Sequence, residues 1–359
     1  MKLAPAPADA AIDGPFITHV DQQLRRCLNE HRARLAAIAP GAAEPVDELR
    51  RVIDAGGKRV RPLFCLWGYR AAGGQDVRAL GRVGAALEML HTAALIHDDV
   101  LDRSRLRRGR PSSYRRLGDL APEHAERFGA AAAILAGDLA QALSDELLAG
   151  SAFPPERIVA AAGLVDRARV DAVTGEFLDL LAVARGAGAG VDEAHIRKVA
   201  ALKSGSYSVV GPLLVGATLA GAADGLLDAL RGFGEPLGEA FQLRDDVLGT
   251  FGDRGATGKD PDDDLREGKR TLLLARATAT ASKDDRELLA SLAGREDLLP
   301  AEADRARAAV VRSGAPAAVT ALIDELAVRA VRALDRASMP DDVRAALEGL
   351  AERVALRLG

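Results

Sequence analysis

Ala93-Ala94-Leu95-Ile96-His97-Asp98-Asp99-Val100-Leu101-Asp102 is an apolar run that closes on a carboxylate cluster. Helical spacing puts Asp98 and Asp102 on one face, one turn apart, and turns Asp99 away. A helix C-terminus already carries partial negative charge, so carboxylates gathered there repel it and each other. The arrangement makes sense if a cation sits among them. Oxygen-only ligands favour Mg²⁺, which binds through one or two carboxylates plus substrate phosphates. A second ending of the same kind, Phe241-Gln242-Leu243-Arg244-Asp245-Asp246-Val247-Leu248-Gly249, lies downstream. There the position one turn after Asp245 is Gly249, so Asp245 lacks the partner that Asp98 has.

Working outward, helical periodicity covers most of the chain. Val20, Leu24, Cys27, Leu28, His31 and Leu35 form one stripe, and Val319, Leu322, Ile323, Leu326 and Ala330 another. Alternating strand patterns with two-residue turns are absent. Hydrophobic residues make up 48% of the 359 residues and aromatics only 3%, so small side chains fill the core and helices pack closely. The reading is an all-α helical bundle: a single domain over 16–359, behind an Ala/Pro-rich disordered tail at 1–15. The longest apolar stretch, Val209 to Ala223, is broken by Pro212 and glycines, so no membrane span is expected. Two cysteines outside any Cys-x-x-Cys pair, Cys27 and Cys65, fit a cytoplasmic location. A net charge of -4 argues against a general nucleic-acid partner.

Basic residues crowd the acidic motifs. Arg103, Arg105, Arg107, Arg108 and Arg110 follow the first. Without interleaved aromatics they do not suit base stacking. Guanidinium forks beside Mg²⁺-binding carboxylates suit a diphosphate, and Gly109 permits a turn that folds Arg107 and Arg108 back. Upstream, Gly56-Gly57-Lys58-Arg59-Val60-Arg61-Pro62 pairs glycines with cations without P-loop spacing. After the second motif come Lys259, Asp262-Asp263-Asp264 and Gly268-Lys269-Arg270, read as a lid over phosphate.

In this order, GGKRVRP, LIHDDVLD, RRGRPS, FQLRDD and GKR resemble the trans-isoprenyl diphosphate synthases, the polyprenyl synthetase family. The resemblance spans about Val46 to Thr271. It implies an isoprenoid synthase-type helical bundle with a central cavity between two Asp-bearing helices. It also implies a homodimer, three Mg²⁺ ions, and two substrates, isopentenyl diphosphate and an allylic diphosphate. Asp98 and Asp102 would ligate one metal pair and Asp245 the third ion, with Asp99, Asp246 and Asp264 behind them. Lys58, Arg61, His91 and Arg108 match positions that hold isopentenyl diphosphate. Arg107, Lys203, Lys259 and Lys269 match contacts to the allylic diphosphate. Gln242, the Lys203 carbonyl and the Ser204 hydroxyl would line the path of an allylic cation. Departures from the family pattern are Gly249 for the last Asp of the second motif, Ser204 for Thr, Tyr114 for His and Glu176 for Gln.

The growing chain should run down the first helix from Asp98, past Ala93, Ala94, Leu90 and Leu87. Family members that stop at short products carry bulky aromatics where this chain has Ala93 and Ala94. At about 1.5 Å per residue, Leu87 lies about 16 Å below Asp98, room for about four isoprene units. The expected product is geranylgeranyl diphosphate, with a longer polyprenyl diphosphate as the alternative. A class I terpene cyclase and a regulatory subunit of a heteromeric synthase are the rival classes. Low aromatic content weighs against the first, and the complete first acidic motif against the second.

Overall fold

A computed structural model describes residues 9–185, 192–252, 262–295 and 297–356. Helices dominate it, as the periodicity predicts. The chain divides into two compact units where the sequence reading drew one domain. The first comprises residues 1–163, 212–223 and 340–346, and the second residues 164–211, 224–339 and 347–359.

In the first unit, α1 (Asp9–Ala36), α2 (Glu44–Asp54), α3 (Val60–Ala71), α4 (Val77–Leu101), α5 (Ser113–Gly118) and α6 (Ala125–Ala149) build the core. Helix α1 begins at Asp9, so the tail expected over 1–15 is corrected from that residue on. Phe16 is buried and Asp13 accepts the Trp67 indole N–H at 3.0 Å, which anchors the start of the helix to α3. Helix α4 is the central element. Asp76 caps it, accepting the Ala79 N–H at 2.9 Å. Leu80, Val83, Met89 and Ile96 are fully buried along it. It is long and apolar enough to cross a membrane, but 72% of the apolar stretch is buried inside the protein, as befits a core helix. The stripe Val20, Leu24 and Leu28 of α1 is likewise buried.

A short hairpin departs from the strand-free expectation. β1 (Leu106–Arg107) pairs antiparallel with β2 (Arg110–Pro111). Its two-residue loop, Arg108-Gly109, has φ of +53° and +73°. Positive φ at both central residues is the type I′ pattern that matches strand twist. Two paired residues per strand are too few to show an alternating pattern in sequence.

Next along the chain come α7 (Pro155–Ala184), α8 (Glu193–Ala200) and α9 (Gly211–Ala220), of which nearly all of α9 falls in the first unit and most of α7 in the second. In the second unit, α10 (Asp224–Phe251) packs against α15 (Ala315–Ala333). Val319, Ile323 and Leu326 of α15 are buried in a cluster with Ala240 and Leu243 of α10, and Ala330 is buried as well. Between α8 and α9, residues Ala201–Val210 form a wide π-helical segment. Gly205 there approaches Gly238 of α10 so closely that a Cβ on Gly238 would lie 2.5 Å from the Gly205 Cα. Wide turns of this kind widen a helix where side chains must be re-aimed, often at functional sites.

Candidate active site

The first acidic motif closes α4. Asp98 and Asp99 lie in its last turn, and Asp102 is the residue that ends it. Carboxylate oxygens of Asp98 and Asp102 lie within 4.8 Å of each other, as the one-turn spacing requires. Asp99, which helical spacing turns away from Asp98 and Asp102, meets the hairpin. It is 2% exposed and accepts the Arg107 Nε–H at 2.8 Å, while Arg107 Nη2 donates to Asp98 at 2.8 Å. Burial opposes the Arg107 charge, but Asp99 and Asp98 outweigh it and hold the guanidinium above the ordinary arginine range. Three carboxylates gather here beside the Arg107 guanidinium, and such an oxygen-only donor set suits a divalent cation.

The hairpin sends its two arginines apart instead of folding both onto one target. Arg107 reaches the carboxylates, and Arg108 donates to the Val52 carbonyl at 3.1 Å and to the Gly56 carbonyl. Neighbouring strand and loop residues project in different directions, which a sequence spacing of one residue does not reveal. Arg108 thereby meets the Gly56-Gly57 loop, where a Cβ on Gly57 would lie 3.1 Å from Arg108 Nη2 and 3.3 Å from Arg59 Nη1. Arg61 is buried at 7% exposure and Lys58 is exposed. Burial, then Arg61 and Arg108, push the His91 pKa well below the usual imidazole range, so the ring is neutral at pH 7. Arg59, absent from the expected site residues, is also part of this cluster. It is buried, has φ of +49°, and bridges Asp21 and Glu88 at 3.0 Å each. Its neighbours in GGKRVRP mark the region, but no spacing rule links it to Glu88.

The second acidic motif lies late in α10. Gln242 Nε2 donates to Asp246 at 2.6 Å, and the Ser204 hydroxyl donates to Gln242 Oε1. Ser204 and Gln242, both expected to line the path of an allylic cation, are thus in contact. Lys203 pairs with Glu176 and with Asp179, each at 2.9 Å. Glu176 and Asp179, three residues apart on one face of α7, are the acidic partners that the sequence reading did not assign. Burial pushes the Asp246 carboxyl up to about 7; the Gln242 amide opposes this, and Asp264 and Asp179 reinforce it.

Gly249 leaves room for a carboxylate from elsewhere in the chain. A Cβ at Gly249 would lie 2.1 Å from Asp264 Oδ2. The Asp264 carboxylate, carried by α11 (Asp263–Glu267), thus occupies the space beside α10 that a side chain at 249 would enter. Lys269 Nζ lies 3.7 Å from Asp264 and 3.0 Å from Glu267. Lys259 lies outside the described residues. Of the expected floor, Ala93, Leu90 and Leu87 are buried at 2%, 7% and 4% exposure, and Ala94 is half-buried.

Comparison with known proteins follows these features closely. The model of a family described as polyprenyl synthetase matches residues 45–310. Geranylgeranyl diphosphate synthase of Sulfolobus acidocaldarius is 33% identical over 261 residues, covering 68% of this chain and 69% of that protein. Geranylfarnesyl diphosphate synthase of Aeropyrum pernix is 34% identical over 269 residues, covering 74% and 78%. The crystal structure of geranylgeranyl pyrophosphate synthase from Corynebacterium glutamicum, complexed with isoprenyl diphosphate and magnesium, superposes with a TM-score of 0.90. That structure is 33% identical, and the match covers 95% of this chain and 98% of its own.

Proposed function

The chain belongs to the polyprenyl synthetase family, and from that premise we propose that it is a prenyltransferase joining isopentenyl diphosphate head-to-tail to an allylic diphosphate, with geranylgeranyl diphosphate as its main product. The observation that carries the reading is the Asp98–Asp102 clamp with the buried Arg107 held against it. The donor set is all carboxylate oxygen, so it fits Mg²⁺. Bound Mg²⁺ supplies charge neutralisation of the diphosphate leaving group.

The chain's own residues supply the rest. Asp98 and Asp102 would hold one pair of ions and Asp245 a third, with Asp99, Asp246 and Asp264 supporting them. Arg107, Lys203, Lys259 and Lys269 bind the allylic diphosphate. Lys58, Arg61, Arg108 and the neutral His91 bind isopentenyl diphosphate. The allylic C–O bond breaks, and its electron pair leaves with diphosphate. The isopentenyl double bond then attacks the allylic cation, a new C–C bond forms, and a proton passes to the departed diphosphate. The Lys203 carbonyl, Ser204 and Gln242 present oxygens to the cation, and placing fixed dipoles where charge develops is the largest catalytic term such a site offers.

Product length is set along α4. Exposure falls from half-buried Ala94 to Leu90 at 7% and Leu87 at 4%, which supports a floor near Leu87. Incubation with isopentenyl diphosphate, each allylic starter and Mg²⁺, followed by chain-length analysis, tests the reading. Prenyl diphosphates with the twenty-carbon product dominant are expected. Longer chains would select the polyprenyl alternative, and a hydrocarbon or no turnover would overturn the assignment. Ala94→Phe should shorten the product, and an unchanged length would place the floor elsewhere.

A homodimer is part of the same proposal. Val170, Val173, Phe177 and Leu180 of α7 follow the three-four spacing of a helix seam and are 64%, 65%, 62% and 36% exposed. An apolar stripe of this kind on one long helix fits a second copy of the same helix. Light scattering should give twice the chain mass for the wild type and a monomer for Phe177→Asp. A dimeric variant would remove the seam from the interface.

A further inference from the structure

We propose that His97 is a positioning residue: its ring is seated in a slot on α6 kept open by Gly137, and this fixes the turn of α4 that presents Asp98 and Asp102. The proposal rests on the metal-clamp reading above.

His97 Nε2 lies 3.1 Å from the Ile134 carbonyl and 3.6 Å from Asp138 Oδ1. A carbonyl only accepts, so Nε2 carries the hydrogen and donates. The ring lies directly over Gly137. A Cβ there would fall 2.1 Å from Nε2, 2.4 Å from Cδ2 and 2.8 Å from Cε1. Any larger residue at 137 must therefore expel the ring or push the helices apart. Small residues line the same face of α6, with Gly129, Ala133, Ala136 and Ala140 buried, which lets α6 approach α4 closely.

A second bond ties the same two helices farther from the acidic end. Ser144 Oγ of α6 donates to the Ala86 carbonyl of α4 at 2.8 Å. From Ala86 to His97 is about 16 Å along α4, and from Ser144 to Ile134 is about 15 Å along α6. Two ties of matched spacing fix both the sliding and the rotation of α4 on α6. The need is greatest at the acidic end. The last turn of α4 carries no basic residue, so its carboxylates face the helix dipole uncompensated from within the helix. Arg107 restrains Asp98 and Asp99 through their side chains. His97 restrains the backbone turn between them and the body of the helix. It points to the α6 backbone, so its role is to hold the clamp and not to touch the substrate.

Calorimetric titration of Mg²⁺ in the presence of inorganic pyrophosphate, beside thermal melts, separates clamp geometry from general stability. Gly137→Ala and His97→Ala should each weaken apparent Mg²⁺ affinity by about 5-fold or more, and the double variant should be no worse than either alone. His97→Gln, which keeps an N–H donor, should recover most of the affinity. Ser144→Ala, at the far tie, should lower the melting temperature and leave Mg²⁺ affinity unchanged. If Gly137→Ala and His97→Ala melt lower but titrate like the wild type, or if their effects add, the positioning role is overturned. A wild type that binds no Mg²⁺ with pyrophosphate would instead sink the metal-clamp reading itself.

Discussion

The two acidic motifs have similar wording and different physics. At the end of α4, Asp98 and Asp99 share a buried guanidinium, and Asp102 stands one turn on. Late in α10, burial, reinforced by Asp264 and Asp179 against the pull of the Gln242 amide, pushes the Asp246 carboxyl up to about 7. The first motif is a charged clamp with its own counterion. The second holds a carboxyl that burial keeps close to neutrality until a cation arrives. Paired aspartates are therefore not equivalent ligands, because burial and neighbouring charge decide which of them is ionised before metal binds.

The contrast breaks first at the clamp. Asp98→Ala or Asp102→Ala should lower kcat on the order of 10²–10³-fold, the scale of losing one preorganised electrostatic contact, while Asp246→Ala costs about 10-fold. Steady-state kinetics at saturating Mg²⁺ decide it, and equal losses would make the two motifs equivalent after all.

A smaller effect tests how the second motif replaces its missing carboxylate. Asp264 Oδ2 fills the space beside Gly249. Gly249→Asp, which restores the family spelling, should therefore reduce activity by about 10-fold because it displaces the Asp264 carboxylate, and Asp264→Ala should do the same. Combined in one chain, the two changes should return activity to within about 3-fold of wild type. Additive losses would show that the two positions serve separate purposes.

The smallest effect is on stability. With its carboxyl raised from 3.8 to about 7 in the folded state, Asp246 favours folding while protonated. That contribution is complete below the unfolded value near 4 and is lost as pH rises through about 7. Without metal, Asp246→Asn should therefore gain in melting temperature relative to wild type as pH rises across this window. A difference that stays constant with pH would mean Asp246 ionises like a free carboxylate. Added Mg²⁺ with pyrophosphate should reverse the trend, since the cation favours the ionised form.

Much of the fold was legible because helical burial is periodic. Val20, Leu24 and Leu28, and Val319, Ile323 and Leu326, are buried as their spacing demands. The hairpin at Leu106–Pro111 escaped because its strands are too short for any period. The tail was drawn too long because Ala- and Pro-rich composition says nothing of Trp67, which holds Asp13. At the site, Asp98 and Asp102 were readable as one face, since their relation lies within a single turn. The burial of Asp99 was not readable, because its partner Arg107 arrives from the hairpin. Glu176, Asp179 and Arg59 were missed as partners for the same reason: Lys203 and Glu88 meet them across long stretches of chain.

By itself, then, the sequence determined an all-helical chain with two carboxylate-ended helices, basic segments in a set order, and a prenyltransferase chemistry. The helices and their carboxylate faces follow from periodicity and residue type, which act over a turn or two of helix; the prenyltransferase chemistry follows from the resemblance of the ordered motifs to a family. Tertiary structure alone decided that Arg107 guards the first clamp, that Asp264 fills the space at Gly249, that Gly137 seats His97, and that Asp246 sits near neutrality. Each depends on which distant groups packing brings within a few ångströms, and at that range burial and Coulomb energy outweigh the local pattern.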